Sequence, residues 1–284
     1  MDVPDDAREP DCIGKQFRPR VPPPRESTSL SDSDPVTAFL DNIRIVMVET
    51  SHPGNIGSAA RAMKTMGLSR LTLVEPKCHP GAEARALASG ADDVLRAIAI
   101  ADSLEEALAD CVFAVAATAR PRDLSPTRLD ARGAAAQVAE MSALGPVALV
   151  FGNETSGLSN DHVRRCNLAA YIPVNPEYSS LNLAAAVQVF AYELRMVAGT
   201  LTNLPDRRQD VAATQDEIER LFSHAEVALA AIGFFDPANP KRLFPRLRRL
   251  AGRARLEREE VDILRGMLAF AAQARQGPVD GESE

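Results

Sequence analysis

Between residues 41 and about 199, short and wholly apolar runs alternate with helical stretches, and this alternation limits the folds that the chain can adopt. A strand exposed on one face alternates apolar and polar residues, whereas a strand buried on both faces is apolar throughout. Buried strands that alternate with helices form a mainly parallel sheet covered on both sides. We therefore predict an α/β domain of this kind. Its strands are expected at residues 43–48, 71–74, 111–118, 147–151 and 169–174.

Composition divides the chain into three parts. Residues 1–40 are rich in proline, serine and mixed charge and have little to bury, so we predict a disordered tail. A chain without this tail is expected to fold and act like the full chain. Residues 41–203 form the α/β domain, and residues 204–284 form a linker and a small helical extension. Thr214 followed by Glu217 marks a helix start in that extension, since the pair is a capping box.

The overall charge of the chain restricts where it can meet a nucleic acid. The chain has 284 residues, of which 45% are hydrophobic, and a formal net charge of -7. Because an acidic chain does not attract RNA as a whole, any RNA-binding surface has to be a local basic patch. The cysteines and histidines lack metal-ligand spacing, and no apolar run is long enough to cross a bilayer. We therefore expect a cytoplasmic protein without a metal site or a membrane span.

A basic patch of this kind is encoded between residues 241 and 258, where eight Lys or Arg residues stand against one Glu. The alternative is an ordinary solvated helix face, but such one-sided clustering in an acidic chain favours contacts to phosphate. The candidate RNA-binding residues of this patch are Lys241, Arg242, Arg246, Arg248 and Arg249.

The turn after the first strand, Ser-His-Pro-Gly-Asn, leads into a helix of mostly small residues. Asn55 is expected to cap this helix, and Ile56, Ala60 and Met63 share its buried face. Arg61 lies on a different face, where small neighbours let another molecule approach closely. Two alternatives remain open. Arg61 is an ordinary solvated arginine, or the Gly-Asn-Ile-Gly stretch is the GxxG loop of a KH RNA-binding domain.

The second unusual turn follows the predicted strand at residues 147–151. It contains Gly152, Asn153, Glu154 and Gly157. Glycine permits a flat or adenosine-like ligand to approach the backbone closely, so this turn is a candidate ligand site. The alternative is an ordinary glycine turn with a capping acid.

A third loop follows the predicted strand at residues 169–174, and a fourth follows the predicted strand at residues 111–118. In the third loop, Ser179, Ser180 and Asn182 enter a helix. Either their side chains cap this helix, or their backbone N–H groups contact a bound ligand. The fourth loop adds Arg120 and Arg122. Because ligands bind at the carboxyl ends of parallel strands, we expect these loops to meet at one site. No G-x-G-x-x-G follows the first strand, which disfavours a classical dinucleotide site.

Taken together, these loops resemble the three motifs of the SPOUT (SpoU–TrmD) class of RNA methyltransferases. The segment NIGSAARAMKTMG, which contains Asn55 and Arg61, is similar to the first motif. VFGNETSGLS is similar to the second motif, and IPVNPEYSSLNLAAAV is similar to the third. The segment TARPRD and the helical extension resemble the TrmJ branch of the class, whose members methylate the ribose 2′-OH of tRNA.

The resemblance implies a fold and a reaction. The sheet domain would contain a C-terminal trefoil knot, and S-adenosylmethionine would be the methyl donor. A homodimer would build each active site from both subunits. The substrate would be a nucleotide of the tRNA anticodon loop, of the position 32 type. A ribosomal RNA 2′-O-methyltransferase and a non-catalytic RNA-binding protein on the same fold remain as alternatives.

The resemblance also implies roles for individual residues. Arg61 would position the reacting ribose and phosphate, because a guanidinium stays protonated and is a poor general base. Together with Arg120, Arg122 and the basic patch, it would contact RNA. The catalytic set would be Arg61, Asn55, Glu154, Ser180 and Asn182. The cofactor would be held by Ala117, Thr118, Ala119, Gly152, Asn153, Gly157, Ile172, Ser180, Leu181 and Asn182.

Overall fold

A computed structural model describes residues 35–120, 126–178, 180–200 and 211–276. Its centre is a seven-stranded sheet in which each strand pairs in parallel with its neighbours. The strands are β1 (Ile43–Val48), β2 (Arg70–Val74), β3 (Ala99–Ala101), β4 (Phe113–Ala117), β5 (Thr127–Asp130), β6 (Val147–Phe151) and β7 (Leu168–Tyr171). Their spatial order is β3-β2-β1-β6-β4-β7-β5.

Helices cover both faces of the sheet and also form the C-terminal unit. Those of the sheet domain are α1 (Pro35–Asp41), α2 (Pro53–Met66), α3 (Ala82–Ala88), α4 (Asp92–Arg96), α5 (Leu104–Leu108), α6 (Ala131–Ser142), α7 (Asn160–Arg164) and α8 (Leu183–Ala198). One apolar core lies under α2, α6 and α8 and contains Met63, Val138 and Phe190. A second core on the opposite face contains Leu108 and Val163, from α5 and α7.

The predicted α/β class and its parallel sheet are confirmed. Strands β1 and β6 span the predicted residues, and Ile56, Ala60 and Met63 of α2 are fully buried as expected. The sequence does not predict β3 or β5, for two different reasons. Strand β3 has only three residues, and β5 (Thr-Arg-Leu-Asp) is a partly exposed edge strand without an apolar run. The trefoil knot implied by the resemblance stays a prediction.

Helix α1 corrects the boundary expected at residue 40. Its Phe39 and Leu40 are 0% and 2% exposed and belong to the main core, so the folded domain includes Pro35–Asp41. Composition does not reveal this boundary, because residues 1–40 are polar on average. Two large apolar side chains are nevertheless enough to anchor the short helix α1 to the core. The predicted disorder of residues 1–34 falls outside the described residues and stays a prediction.

The C-terminal unit consists of α9 (Gln215–Ala231), α10 (Leu243–Ala254) and α11 (Arg258–Gln276). The predicted capping box of Thr214 and Glu217 opens α9. Gln215 joins the unit to the sheet domain, since its backbone N–H donates to the Cys111 carbonyl at 2.9 Å and its side chain donates to Asn167 Oδ1 at 2.7 Å. Within the described residues, no helix has both the length and the apolar character that a membrane span requires.

Four neighbouring strands place their following loops at one edge of the sheet. Strands β1, β6, β4 and β7 are consecutive in space, and all run in the same direction. Their carboxyl ends therefore lie side by side, although the loops that follow them are far apart in sequence. These are the loops that the sequence analysis singles out.

Candidate active site

The four loops enclose a cleft of about 460 Å³. Its lining includes all ten residues expected to hold a cofactor: Ala117, Thr118, Ala119, Gly152, Asn153, Gly157, Ile172, Ser180, Leu181 and Asn182. The parallel sheet brings them together, because each lies at the end of β4 or in the loop that follows β4, β6 or β7. A second cavity, of about 310 Å³, lies between the sheet domain and the C-terminal unit. It is lined by ion pairs such as Arg255–Glu140, so the cleft is the better candidate site.

The loop after β6 closes tightly on itself at the floor of the cleft. A Cβ atom on Gly152 would lie 2.1 Å from the carbonyl carbon of Gly157, so only glycine fits there. Gly157 has a φ of 68°, which also favours glycine. Asn153 folds the turn between them, because its Oδ1 accepts from the backbone N–H of Thr155 at 3.0 Å and of Ser156 at 2.7 Å. Close packing within the loop therefore requires glycine at Gly152, whereas the space beside Gly157 is open.

A chain of hydrogen bonds connects the three motif loops. Asn182 Nδ2 donates to Asn55 Oδ1 at 3.0 Å, and Asn55 Nδ2 donates to Glu154 Oε1 at 2.8 Å. Glu154 Oε2 accepts from the Ser51 hydroxyl at 2.9 Å. Asn182 also caps α8, since its Oδ1 accepts from the Ala184 N–H at 2.9 Å. Capping and contact with the site are thus both served by one amide.

Asn55 does not cap α2, which corrects the expectation from the sequence. The helix begins at Pro53, so Asn55 lies within its first turn, and the N-cap residue is His52. The Asn55 side chain turns instead toward Glu154 and Asn182. The sequence is compatible with either role for Asn55, a helix cap or a contact within the site. The position of the neighbouring loops decides between the two.

Glu154 is held in its charged form. Burial alone would raise its pKa, but the hydrogen bonds from Asn55, its own backbone and Ser51 together outweigh that effect and lower the pKa. A carboxylate that already accepts from several donors is an organising acceptor for the three loops. It is a poor candidate for a general acid at neutral pH.

Arg61 lies apart from the cleft of its own chain. It is exposed, it does not line the cleft, and its guanidinium has no hydrogen bond or ion pair with any described residue. Arg61 follows Asn55 by six residues along α2, which corresponds to roughly 9 Å of helix rise. The structure therefore brings Asn55, Glu154, Ser180 and Asn182 together at the cleft but does not bring Arg61 to them.

One basic residue near the cleft is missed by the sequence analysis. The Arg128 guanidinium stacks over the Tyr171 ring at 4.1 Å and donates to the Ala119 carbonyl at 2.9 Å. It thereby joins the ends of β4 and β7, which both line the cleft. Arg128 lies on β5, a strand that the sequence does not predict, so no sequence pattern indicated that its side chain lies near the cleft. Arg120 is exposed on the rim, and Arg122 lies outside the described residues.

The basic patch of the C-terminal unit divides into free and engaged cations. Lys241, Arg242, Arg246 and Arg249 are exposed and have no ion pair with a described residue. The same holds for Arg253, which the sequence analysis omits.

Arg248 is a correction to the predicted RNA-binding set. Its guanidinium forms a two-pronged ion pair with Glu219, with Nη2 to Oε2 at 2.8 Å, and stacks over the Phe222 ring at 4.4 Å. These contacts hold α10 against α9. The residue type is right for phosphate binding, but the side chain faces the protein.

Residues that could bind a metal ion do not cluster in the described part of the chain. Across residues 35–120, 126–178, 180–200 and 211–276, no group of three or more His, Cys, Asp or Glu side chains is arranged to hold a metal ion. The buried Cys111 and Cys166 thiols have pKa values raised by burial to about 12, so both stay protonated at neutral pH.

Comparison with known proteins identifies similar chains for both parts of the molecule. The model of the SpoU rRNA Methylase family matches residues 42–192, and the model of the tRNA methyltransferase TrmJ C-terminal domain matches residues 216–280. The tRNA (cytidine/uridine/adenosine-2′-O-)-methyltransferase TrmJ of Pseudomonas aeruginosa is 46% identical over 249 residues, which cover 84% of this chain and 97% of that protein.

Two further relatives extend the comparison. The tRNA (cytidine/uridine-2′-O-)-methyltransferase TrmJ of Klebsiella pneumoniae is 49% identical over 243 residues, which cover 84% of this chain and all of that protein. The crystal structure of TrmJ from Z. mobilis matches with a TM-score of 0.70 and 35% identity, over 80% of this chain and 97% of that one. These matches confirm the resemblance drawn from the three loops.

Proposed function

Because the chain belongs to the SpoU rRNA methylase family and carries a TrmJ-type C-terminal domain, we propose that it is an S-adenosylmethionine-dependent tRNA 2′-O-methyltransferase. The observation that carries this proposal is the hydrogen-bonded chain from Asn182 through Asn55 to Glu154. It fixes the three motif loops around one cleft. A non-catalytic RNA-binding protein would not need that arrangement.

The cleft suits the methyl donor in size and in chemistry. The tightly folded loop from Gly152 to Gly157 lines the cleft and offers a surface for a flat adenosine, and Ile172 and Leu181 add apolar surface. Ser180 and the end of β4 supply polar groups for the methionine portion. When bound, S-adenosylmethionine supplies a methyl group made electrophilic by its sulfonium. The residues of the chain orient the reactants, and no metal is required.

Arg61 positions the reacting nucleotide in this proposal. Its planar guanidinium suits a phosphate, and its charge stabilises the negative charge that the 2′-oxygen carries as its proton is lost. The 2′-OH proton passes to water or to a neighbouring phosphate oxygen, because Arg61 stays protonated. Alignment of the 2′-oxygen with the methyl carbon accounts for much of the rate enhancement.

A homodimer explains how Arg61 reaches a cleft. Helix α8, which packs beside α2, exposes Tyr192 (47%) and Met196 (52%), and these side chains offer an apolar surface to a second copy. Two-fold pairing there would bring Arg61 of one subunit toward the cleft of the other. An equal mixture of Arg61→Ala and Gly152→Ala chains should then recover activity from two inactive proteins, at about a quarter of the wild-type sites. No recovery after subunit exchange would exclude shared sites.

The substrate is tRNA in this proposal, with the anticodon-loop nucleotide of the position 32 type as the target. The exposed cations Arg246 and Arg249 bind its phosphates, and residues 204–284 supply affinity while residues 41–203 supply chemistry. Such a substrate implies a cytoplasmic enzyme. The family description names ribosomal RNA, so a ribosomal RNA 2′-O-methyltransferase is the alternative to test.

The decisive experiment uses the purified full chain, S-adenosylmethionine, and unmodified tRNA or ribosomal RNA. Mass spectrometry of nuclease digests should find one 2′-O-methylated nucleotide, in the anticodon loop. Methylation of ribosomal RNA alone would select the alternative. Absence of methyl transfer to either RNA would refute the proposed activity.

A further inference from the structure

Tyr178 lies in the loop that joins β7 to α8, between Val174 and Ser180, which both line the cleft. Its side chain is 78% exposed and has no hydrogen bond or ring contact with any described residue. The chain has three tyrosines, and the other two have different surroundings. Tyr171 is covered by Arg128, and Tyr192 lies on the exposed face of α8. A single exposed aromatic side chain is ordinary on a protein surface, so its position has to carry the argument.

The backbone of this loop holds Tyr178 on a constrained turn. The Tyr178 N–H donates to the Asn175 carbonyl at 3.0 Å, and Asn175 Oδ1 accepts from the Glu177 N–H at 3.0 Å. Pro173 and Pro176 further restrict the backbone. A tyrosine has only two side-chain torsions to fix on binding, so little entropy is lost when a flat group covers the ring.

A ribose methyltransferase needs a surface for the base of its target nucleotide. For the 2′-OH to enter the cleft, that nucleotide has to leave the stack of its RNA loop, and exposed bases are commonly stacked on aromatic side chains. Ser180, two residues after Tyr178, already lines the cleft. Two residues of chain span at most about 7 Å, so the backbone of Tyr178 lies close to the cleft and its exposed side chain is within reach of a base held there.

We propose that Tyr178 is the stacking platform for the base of the nucleotide that is methylated, an inference that rests on the proposed function. Stacking reads the flat face of a base and not its edges, so it accepts pyrimidines and purines alike. This suits a family in which one relative is named for cytidine and uridine and another also for adenosine. Edge-specific hydrogen bonds would restrict the base more narrowly.

The test compares Tyr178→Phe with Tyr178→Leu, because the first keeps a ring and the second keeps apolar bulk without one. Single-turnover methylation of unmodified tRNA over a range of tRNA concentrations measures the effect. Tyr178→Leu should lower the ratio of rate to half-saturating tRNA concentration by roughly tenfold or more, and Tyr178→Phe should stay within about threefold of wild type. The loss should be similar for cytidine, uridine and adenosine at the target position.

Three controls separate stacking from other roles. Calorimetric titration with S-adenosylmethionine and the melting temperature should be unchanged in both variants. Leu87→Ala, which shortens a 46% exposed apolar side chain of α3 outside the cleft and the C-terminal unit, should leave the ratio unchanged. Size-exclusion chromatography should show the wild-type oligomeric state, whereas a change there would make Tyr178 a subunit contact and overturn the proposal.

The outcomes distinguish this inference from the proposed function. If the wild-type chain methylates no tRNA, the proposed function fails, and the stacking role fails with it. If the wild type is active and Tyr178→Leu equals Tyr178→Phe, only the stacking role is wrong. Equal losses in both variants would assign the effect to the hydroxyl group and would also overturn stacking.

Discussion

The cleft at the sheet edge and the basic patch on α10 use polar side chains in opposite ways. In the cleft, Asn182, Asn55 and Glu154 are paired with one another. On α10 and the residues just before it, cations such as Arg246 and Arg249 have no ion pair with the described part of the chain. Paired groups hold a fixed geometry and need no reorganisation during a reaction, which suits catalysis. Unpaired cations release counterions when they meet phosphate, which suits affinity.

Net charge illustrates the same difference. A chain of charge -7 does not attract RNA as a whole, so affinity has to come from a local surface. Three of the eight cations in residues 241–258 are neutralised within the protein, namely Arg248, Arg255 and Arg258. The others remain available for phosphate. Changes in the two regions should therefore affect different measured quantities.

The largest difference between the regions is expected from glycine substitutions. Gly152→Ala places a Cβ atom 2.1 Å from the backbone of Gly157, so the cleft loop has to rearrange. We expect S-adenosylmethionine affinity to fall by roughly 100-fold, since overpacking that costs up to about 3 kcal/mol corresponds to such a factor. Calorimetric titration measures the affinity. Wild-type affinity in this variant would show that the loop does not hold the cofactor.

The matched control for that prediction is Gly266→Ala in α11. No atom lies within 4 Å of the added Cβ there, and the residue is helical. Alanine should leave cofactor affinity unchanged and raise the stability of the helix by up to about 1 kcal/mol. A thermal melt of both variants completes the comparison.

A smaller effect is expected when the charge of Glu154 is removed. Glu154→Gln replaces an acceptor oxygen by an NH₂ group that faces donors, so we expect methyl transfer to fall by about tenfold and stability to fall by about 1–3 kcal/mol at pH 7. Chemical denaturation and single-turnover assays measure the two effects. Glu226→Gln, at an exposed position of α9, is the control and should change neither.

The stability difference should also depend on pH. The folded-state pKa of Glu154 lies below its ordinary value of 4.5, so the folded state favours the carboxylate. Its contribution is therefore complete above that ordinary value and is lost as the pH falls through the lowered folded-state pKa. The difference between wild type and Glu154→Gln should shrink over this acid range. A difference that stays constant there would mean that the charge of Glu154 does not stabilise the fold.

The smallest effects are expected from two adjacent arginines on α10. Arg248→Ala removes the Glu219 pair and the stack on Phe222, and should lower stability by about 1–2 kcal/mol. Arg249→Ala should leave the melting temperature unchanged. It should instead reduce the slope of log affinity against log salt by about one. Identical behaviour of the two variants would contradict the division into engaged and free cations.

The sequence predicts the cleft better than it predicts the patch. Parallel strands force the loops that follow them to one edge, so Gly152, Ser180 and Asn182 could be grouped without coordinates. The orientation of Arg248 depends on Glu219 and Phe222 of another helix, which composition does not reveal. Strand β5 was not predicted for a related reason. Pairing with β7 stabilises it, and its own residues carry no apolar pattern.

The separation of Arg61 from its own cleft could not be predicted from a motif. A linear pattern places Arg61 near Asn55, but six residues of helix carry it away, and only an assembled dimer would restore the contact. The same limit applies to α1, where Phe39 is buried by α8 and by the core beneath it. In each case the surroundings of the side chain depend on a distant part of the chain or on a second copy, which a local sequence pattern does not reveal.

The central claim is that chemistry and affinity reside in different regions. Single-turnover methylation measured across tRNA concentrations gives the maximal rate and the half-saturating concentration separately. Arg61→Ala should lower the maximal rate by roughly 100-fold or more with little change in the half-saturating concentration, and Arg61→Lys should not restore it.

Arg246→Glu combined with Arg249→Glu should show the reverse in the same assay. The half-saturating tRNA concentration should rise, and its salt dependence should flatten, while the maximal rate at saturating tRNA stays near wild type. A wild-type maximal rate for Arg61→Ala, or a lost maximal rate for the charge-reversed pair, would contradict the assignment of chemistry to the sheet domain and affinity to α10.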